Sequence, residues 1–321
     1  MTHSRLSVCD STFSSGPCQR NERHRGADPH VCPRIRAFPP PFPGRVVQVC
    51  SSHSERRGRY DADGHSASYA SERTIVKAYI RTFGCQMNEH DSQRIAALLE
   101  ASGYAMTEAI EEASLILLNT CSVRHNPENK VFSFLGMLAP LKRERPELVI
   151  GVGGCVAQQL GGAILARNRD VDLVFGPDQY ANLPEMLDLV RRGERVVMTD
   201  WGPKQPPVQD FIPDALIEAG PVVNGKAYIA IMTGCNNFCS FCIVPYVRGR
   251  EISRPPESIL REARALIDKG AREIWLLGQN VNSYRAEGWR FYELLEAMAR
   301  LPVARLRFTS PHPKDWDNAL S

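Results

Sequence analysis

The sequence contains no hydrophobic run of membrane length. Its longest apolar stretches, such as Leu115 to Leu118 and Ile274 to Leu277, are strand-sized, whereas a bilayer span needs about 20 apolar residues. A soluble chain with no membrane partner is therefore expected. An apolar segment near Met1, of the kind a secretory leader carries, is also missing. That argues against a disulfide scaffold, although there are ten cysteines; in a reducing, cytoplasmic setting cysteines serve metals or redox chemistry. Charge of one sign is scarce too. The formal net charge is +3, and residues 1–73 hold eleven Arg against seven acidic residues while the remaining 248 come out at −1. A chain without a basic domain does not announce a nucleic-acid binder through bulk electrostatics, so any RNA reading has to come from motifs.

Residues 1–73 lack any helical or strand period. They are rich in Ser, Arg, Pro and Gly, include the run Pro39-Pro40-Pro41-Phe42-Pro43, and read as a disordered extension. Their Arg and Ser content also fits an organellar transit peptide, against which stand the acidic residues and the absent amphipathic period; a start site set too far upstream is equally compatible. Four cysteines, Cys9, Cys18, Cys32 and Cys50, fall in this segment at spacings that match no metal motif.

The other 248 residues show strand–helix alternation. Strands are expected at Val76 to Phe83, Leu115 to Asn119, Val149 to Val152 and Val171 to Phe175. Helices are expected at Asp91 to Ser102, from Pro127 after an Asn126 N-cap, with Val131, Leu135 and Leu138 on one face, and at Leu183 to Arg192. Such alternation implies a parallel sheet. Pro203, Pro206, Pro207, Pro213 and Pro221 then break the period, so residues 200–222 read as a linker between an α/β domain at 74–199 and a second unit at 223–321. That second series runs strand Tyr228 to Met232, helix Ser258 to Lys269, strand Glu273 to Leu277, helix Phe291 to Arg300 and strand Arg305 to Thr309. Two β/α units and a third strand are too few to close a barrel.

The strongest chemical signal is Gly234-Cys235-Asn236-Asn237-Phe238-Cys239-Ser240-Phe241-Cys242, a Cys-x3-Cys-x2-Cys run placed after an expected strand. Three thiolates on one loop can hold three irons of a 4Fe-4S cube and leave the fourth open. An open iron suits chelation of S-adenosylmethionine by its amino and carboxylate groups. Structural zinc is the alternative, but it wants four ligands, and the closest histidine in sequence is His312. The spacing resembles the signature of the radical S-adenosylmethionine superfamily, including the aromatic Phe241, a candidate cofactor contact.

A second set, Cys85, Cys121 and Cys155, is unremarkable as bare spacing. Each follows the end of an expected parallel strand, however, and ligands bind in the crevice at the carboxyl ends of such strands. Three buried, inert thiols are the plainer reading. The segments around them, Thr82-Phe83-Gly84-Cys85-Gln86-Met87-Asn88-Glu89, Asn119-Thr120-Cys121-Ser122-Val123-Arg124 and Gly153-Gly154-Cys155-Val156-Ala157-Gln158, resemble the motifs of the methylthiotransferases, in matching order. Gly84 to Asn88 and Leu277-Gly278-Gln279-Asn280-Val281-Asn282-Ser283-Tyr284 are similar to the branch acting on tRNA, rather than the branch acting on a ribosomal protein.

The resemblance covers residues 76–321. It implies that Cys85, Cys121 and Cys155 bind an auxiliary 4Fe-4S cluster that supplies the inserted sulfur, that the second unit is part of a radical S-adenosylmethionine (β/α) barrel, and that the product is a 2-methylthio adenosine of the isopentenyl type beside the anticodon. It further implies a flavodoxin- or ferredoxin-type reductant and a monomeric chain. The family's enzymes complete the barrel and add a C-terminal RNA-binding domain, so an inactive, cluster-binding fragment is the rival expectation, as is another methylthiotransferase substrate. Arg248, Arg250 and Arg254 are candidates for RNA phosphates or the cofactor carboxylate, although charged loop residues are more often simply solvated. Gln279 and Asn280, at a strand end, are candidates for the cofactor or substrate. Tyr246, Trp275, Trp289 and Trp316 are isolated aromatics, a type that more often anchors cores or surfaces than bases.

Overall fold

Short apolar segments separated by amphipathic ones assemble into two parallel sheets. The computed structural model describes residues 46–48, 76–123, 127–200, 212, 214–316 and 318–320. In chain order the first part comprises β1 (Val46–Gln48), β2 (Lys77–Phe83), α1 (Gln86–Ala101), β3 (Ala105–Met106), β4 (Leu115–Thr120), α2 (Pro127–Glu144), β5 (Val149–Gly154), α3 (Cys155–Leu160), α4 (Ala163–Arg167), β6 (Leu173–Phe175), α5 (Leu183–Arg191) and β7 (Arg195–Met198). These strands form one seven-stranded sheet in the order β1-β7-β6-β5-β4-β2-β3, parallel throughout.

β4, with the sequence LILLNT, is buried at all six positions, because both faces of a parallel sheet are covered. Alternate residues point to opposite faces: Leu115 and Leu117 pack with Ile95 and Leu99 of α1 and Met186 of α5, Ile116 and Leu118 with Val131, Leu135 and Leu138 of α2. α1 and α2 thus lie on opposite faces, and the chain leaves β2 toward β3 on one flank and β4 on the other. Such a switch point opens a crevice between the carboxyl ends of β2 and β4.

The second part comprises α6 (Asp214–Ile217), β8 (Lys226–Ala230), β9 (Met232–Thr233), α7 (Val244–Val247), β10 (Ile252–Ser253), α8 (Pro256–Asp268), β11 (Glu273–Leu277), β12 (Arg285–Ala286), β13 (Trp289–Arg290), α9 (Phe291–Ala299) and β14 (Arg305–Phe308). β14, β11 and β8 make an open three-stranded parallel sheet, while β9 pairs with β10 and β12 with β13. Ile229, Ile274 and Leu276 pack under Ile259 and Leu266 of α8 and Leu294 and Met298 of α9. The opposite face turns toward the first sheet's crevice, where Ala230 and Leu277 meet Met87 at the start of α1.

The α/β reading holds, with differences. Val46–Gln48 forms a parallel edge strand within the segment read as irregular. α1 starts at Gln86, five residues early, because its first turn is buried against the second sheet and so lacks an amphipathic signature. The strand expected at Tyr228 to Met232 divides at Ile231, beyond which Met232–Thr233 turns to pair with β10. Cys9, Cys18, Cys32, Cys50, Asn126, Pro203, Pro206, Pro207 and Pro213 lie outside the described residues. No helix among the described residues is long and apolar enough to cross a membrane.

Candidate functional site

Strand register brings the first three cysteines together. β2, β4 and β5 are adjacent, with Phe83 opposite Thr120 and Thr120 opposite Gly154, so the three strands end level. Cys85 caps α1, Cys121 follows β4 directly, and Cys155 opens α3. All three wall one cavity of about 330 Å³, together with Cys242, Arg248 and Gln279.

Buried amides hold the strand ends in place. Asn119 Nδ2 donates to the Asn88 carbonyl at 2.8 Å and to Ser92 Oγ at 2.9 Å, and its Oδ1 accepts from Asn88 Nδ2 at 3.1 Å. Asn88 Oδ1 in turn accepts from the Cys85 N–H at 3.5 Å. Gly154 has φ +88°, and a Cβ there would strike the Asn119 side chain and Thr120 backbone. The neighbouring Cys121 thiol brings Cys85 down to about 6 against the pull of burial, and Cys121 itself is pushed up. Burial raises the Cys155 thiol, and the neighbouring Arg248 guanidinium opposes that rise.

The second set sits on the loop between β9 and α7. Gly234, at φ 75°, enters it in a backbone region that favours glycine, and a Cβ would run into the Arg250 carbonyl. The Cys242 N–H donates to the Cys239 carbonyl at 2.9 Å, and the Asn237 N–H approaches Cys235 Sγ at 3.5 Å. The segment after β14 clasps this loop: Asp315 Oδ2 accepts from Asn237 at 3.2 Å and from Asn280 at 2.7 Å, and Lys314 Nζ donates to Asn237 Oδ1 at 3.2 Å. His312 Nε2 lies 3.8 Å from Cys239 Sγ. It brings a nitrogen donor near one thiol, yet among the described residues no three His, Cys, Asp or Glu side chains close around a single ion. Three soft sulfur donors per set suit a multi-iron cluster, which spreads its ligands more widely than one zinc ion does, and Cys242 of the second set opens on the cavity that the first set walls.

The other candidates divide. Gln279 walls the cavity, and its Oε1, like Asn280 Oδ1, is buried with no hydrogen-bond partner among the described residues; each is an acceptor to which a bound molecule could donate. Phe241 is 90% exposed and is not part of the cavity wall. The arginine expectation needs correction. Arg254 is wholly buried, bound to Glu262 Oε2 at 2.6 Å, Ser258 Oγ at 2.7 Å and the Ala230 carbonyl at 2.9 Å. Arg248 is buried against Asp91. Neither is free to meet phosphate, because each charge is already spent on a buried carboxylate. Arg250 lies over the Phe238 ring at 4.9 Å.

The two halves exchange charges. Arg248 of the second reaches Asp91 of α1 at 2.6 Å, and Arg94 of α1 reaches Glu262 of α8. These acidic partners escaped the sequence reading; the only hint was polar residues inside otherwise apolar helix faces. Asn88 and Asn119 lay within the quoted motifs, but without a role.

Comparison with known proteins adds two matches: residues 77–176 fit the model of Uncharacterized protein family UPF0004, and residues 229–320 that of the Radical SAM superfamily. A tRNA-2-methylthio-N(6)-dimethylallyladenosine synthase of Cereibacter sphaeroides is 48% identical over 245 residues, 76% of this chain and 55% of that protein. Proteins of the same name from Syntrophus aciditrophicus and Acinetobacter baumannii are 48% and 44% identical, over 75% and 79% of this chain and 52% and 54% of theirs. The chain thus spans about half the length of these relatives. A solved radical S-adenosylmethionine methyltransferase, TsrM of Kitasatospora setae, aligns at TM-score 0.45 and 13% identity over 68% of this chain and 50% of that one.

Proposed function

Because the chain belongs to the radical S-adenosylmethionine methylthiotransferase family, we propose that it carries the two-cluster core of an enzyme that adds a methylthio group to C2 of an N6-isopentenyl-type adenosine beside a tRNA anticodon. The observation that carries this reading is the shared cavity: Cys85, Cys121 and Cys155 from the first sheet face Cys242 from the second across about 330 Å³. In this reading residues 74–199 are the auxiliary-cluster domain, 200–222 a linker and 223–321 part of the radical barrel, working in the cytoplasm as a monomer on tRNA with a flavodoxin- or ferredoxin-type reductant.

Cys235, Cys239 and Cys242 would hold one 4Fe-4S cluster and Cys85, Cys121 and Cys155 the other; with S-adenosylmethionine these groups supply the one-electron and sulfur chemistry that side chains lack. The chain's own residues position and enclose. Val244, Val247 and Leu277 give the cavity apolar walls. The unpaired Gln279 Oε1 offers an acceptor to an N–H or O–H donor on the ligand. Asn88 and Asn119 tie together the strand ends that carry Cys85 and Cys121, while Asp315 ties down the Cys235–Cys242 loop.

The test separates the two cysteine sets. Cys239→Ala should abolish S-adenosylmethionine cleavage, whereas Cys121→Ala should keep cleavage and lose sulfur insertion. Methylthiolated tRNA from either variant would contradict the proposal.

A further inference from the structure

Arg248 follows the Cys235–Cys242 loop in sequence, yet its guanidinium belongs to the other cysteine set. Nη2 donates to Asp91 Oδ2 at 2.6 Å, with the two side chains only 6% and 12% exposed. The same group walls the cavity the three thiols share, and its charge bears on Cys155 and Cys85. On its far side Asp91 meets His90, 3.8 Å away. Here a full positive charge, shut off from water, stands beside three sulfurs that become negative when they ligate metal, and a carboxylate stands behind it. Little solvent screens these charges, so each acts strongly on its neighbours. A structural tie between the two halves would not need to line the thiol cavity, and the Arg94–Glu262 pair makes such a tie outside it.

We propose that Arg248 is a positioning residue for the Cys85–Cys121–Cys155 site, supplied by the segment that carries the other three cysteines. It fixes the Cys155 sulfur and, with Asp91 as its counter-charge, sets how readily the group bound there accepts an electron. The proposal rests on the reading that this set holds a cluster. An added electron makes the site more negative, so a nearby cation favours it and a nearby anion opposes it.

The experiment uses the full chain with Cys235, Cys239 and Cys242 all changed to Ala, so that only the auxiliary cluster is loaded, and follows iron content and a reductive titration by electron paramagnetic resonance. Arg248→Gln should move the midpoint to more negative potential, Asp91→Asn to more positive potential, and Arg248→Lys should stay near the parent. Opposite signs from two partners of one pair cannot come from loosened packing. Loss of iron in Arg248→Gln with retention in Arg248→Lys would equally support the holding role. Iron retained with unmoved or same-sign shifts would overturn the assignment of Arg248 alone, whereas no iron in the parent of the series would overturn the underlying cluster reading as well.

Discussion

Arg94 of α1 and Glu262 of α8 form an ion pair whose side chains are 1% and 0% exposed, and the second Glu262 oxygen accepts from Arg254 at 2.6 Å. One carboxylate therefore bridges two buried guanidinium groups and ties α1 to α8. Removing one member of such a set leaves an uncompensated charge, at a cost of about 3–5 kcal/mol. Glu262→Gln should lower the urea midpoint by an amount corresponding to that range; a loss under ~1 kcal/mol would show that the pair is solvated.

Asn119 makes three buried hydrogen bonds to α1. Asn119→Ala removes these bonds and leaves one N–H of the Asn88 side chain without its acceptor, though the Thr120 carbonyl still accepts from Asn88 Nδ2 at 3.2 Å; the change costs about 1–3 kcal/mol and lets the ends of β2 and β4 shift. Reconstituted protein should lose roughly half its iron, all from the Cys85 set. Full iron content would mean that the amides do not position the thiols.

Gly234 combines a left-handed backbone with the close approach of the Arg250 carbonyl. Gly234→Ala should displace the Cys235–Cys242 loop and remove the other half of the iron, with Cys85, Cys121 and Cys155 still loaded. Wild-type content would contradict this.

Partial burial would raise the Asp315 carboxyl, but hydrogen bonds from Asn280 and Asn237 hold it below the ordinary range. A depressed carboxylate contributes fully above its unfolded value, ~3.9, and the contribution fades only as pH falls through the lower folded value. In metal-free protein the clasp on residues 236–242 should therefore be unchanged from about pH 7 to about pH 5, once intrinsic rates are corrected in amide exchange. Asp315→Asn should speed exchange there by roughly 5-fold, the equivalent of one hydrogen bond of ~1 kcal/mol. Equal exchange in the two proteins would remove Asp315 from the clasp.

The local parts of this architecture were legible in the residues. Leu115 to Leu118 reads as a strand, and the structure buries it on both faces; placing Cys85, Cys121 and Cys155 just past strand ends made their convergence a consequence of register. What escaped was long-range. Asp91 and Arg248 are 157 residues apart and Arg94 and Glu262 are 168 apart, and no periodicity links such positions, so the arginines looked like surface cations. Strands as short as Val46–Gln48 and Ala105–Met106 exist because a neighbouring strand supplies their partner, and three or two residues carry no period of their own.

The most direct test of the two-cluster reading is iron and acid-labile sulfide content, with an absorption spectrum, after anaerobic reconstitution. About eight irons per chain, falling to about four when Cys85, Cys121 and Cys155 are all changed to Ala, are predicted. Zinc, no metal, or iron content unmoved by that triple change would contradict it.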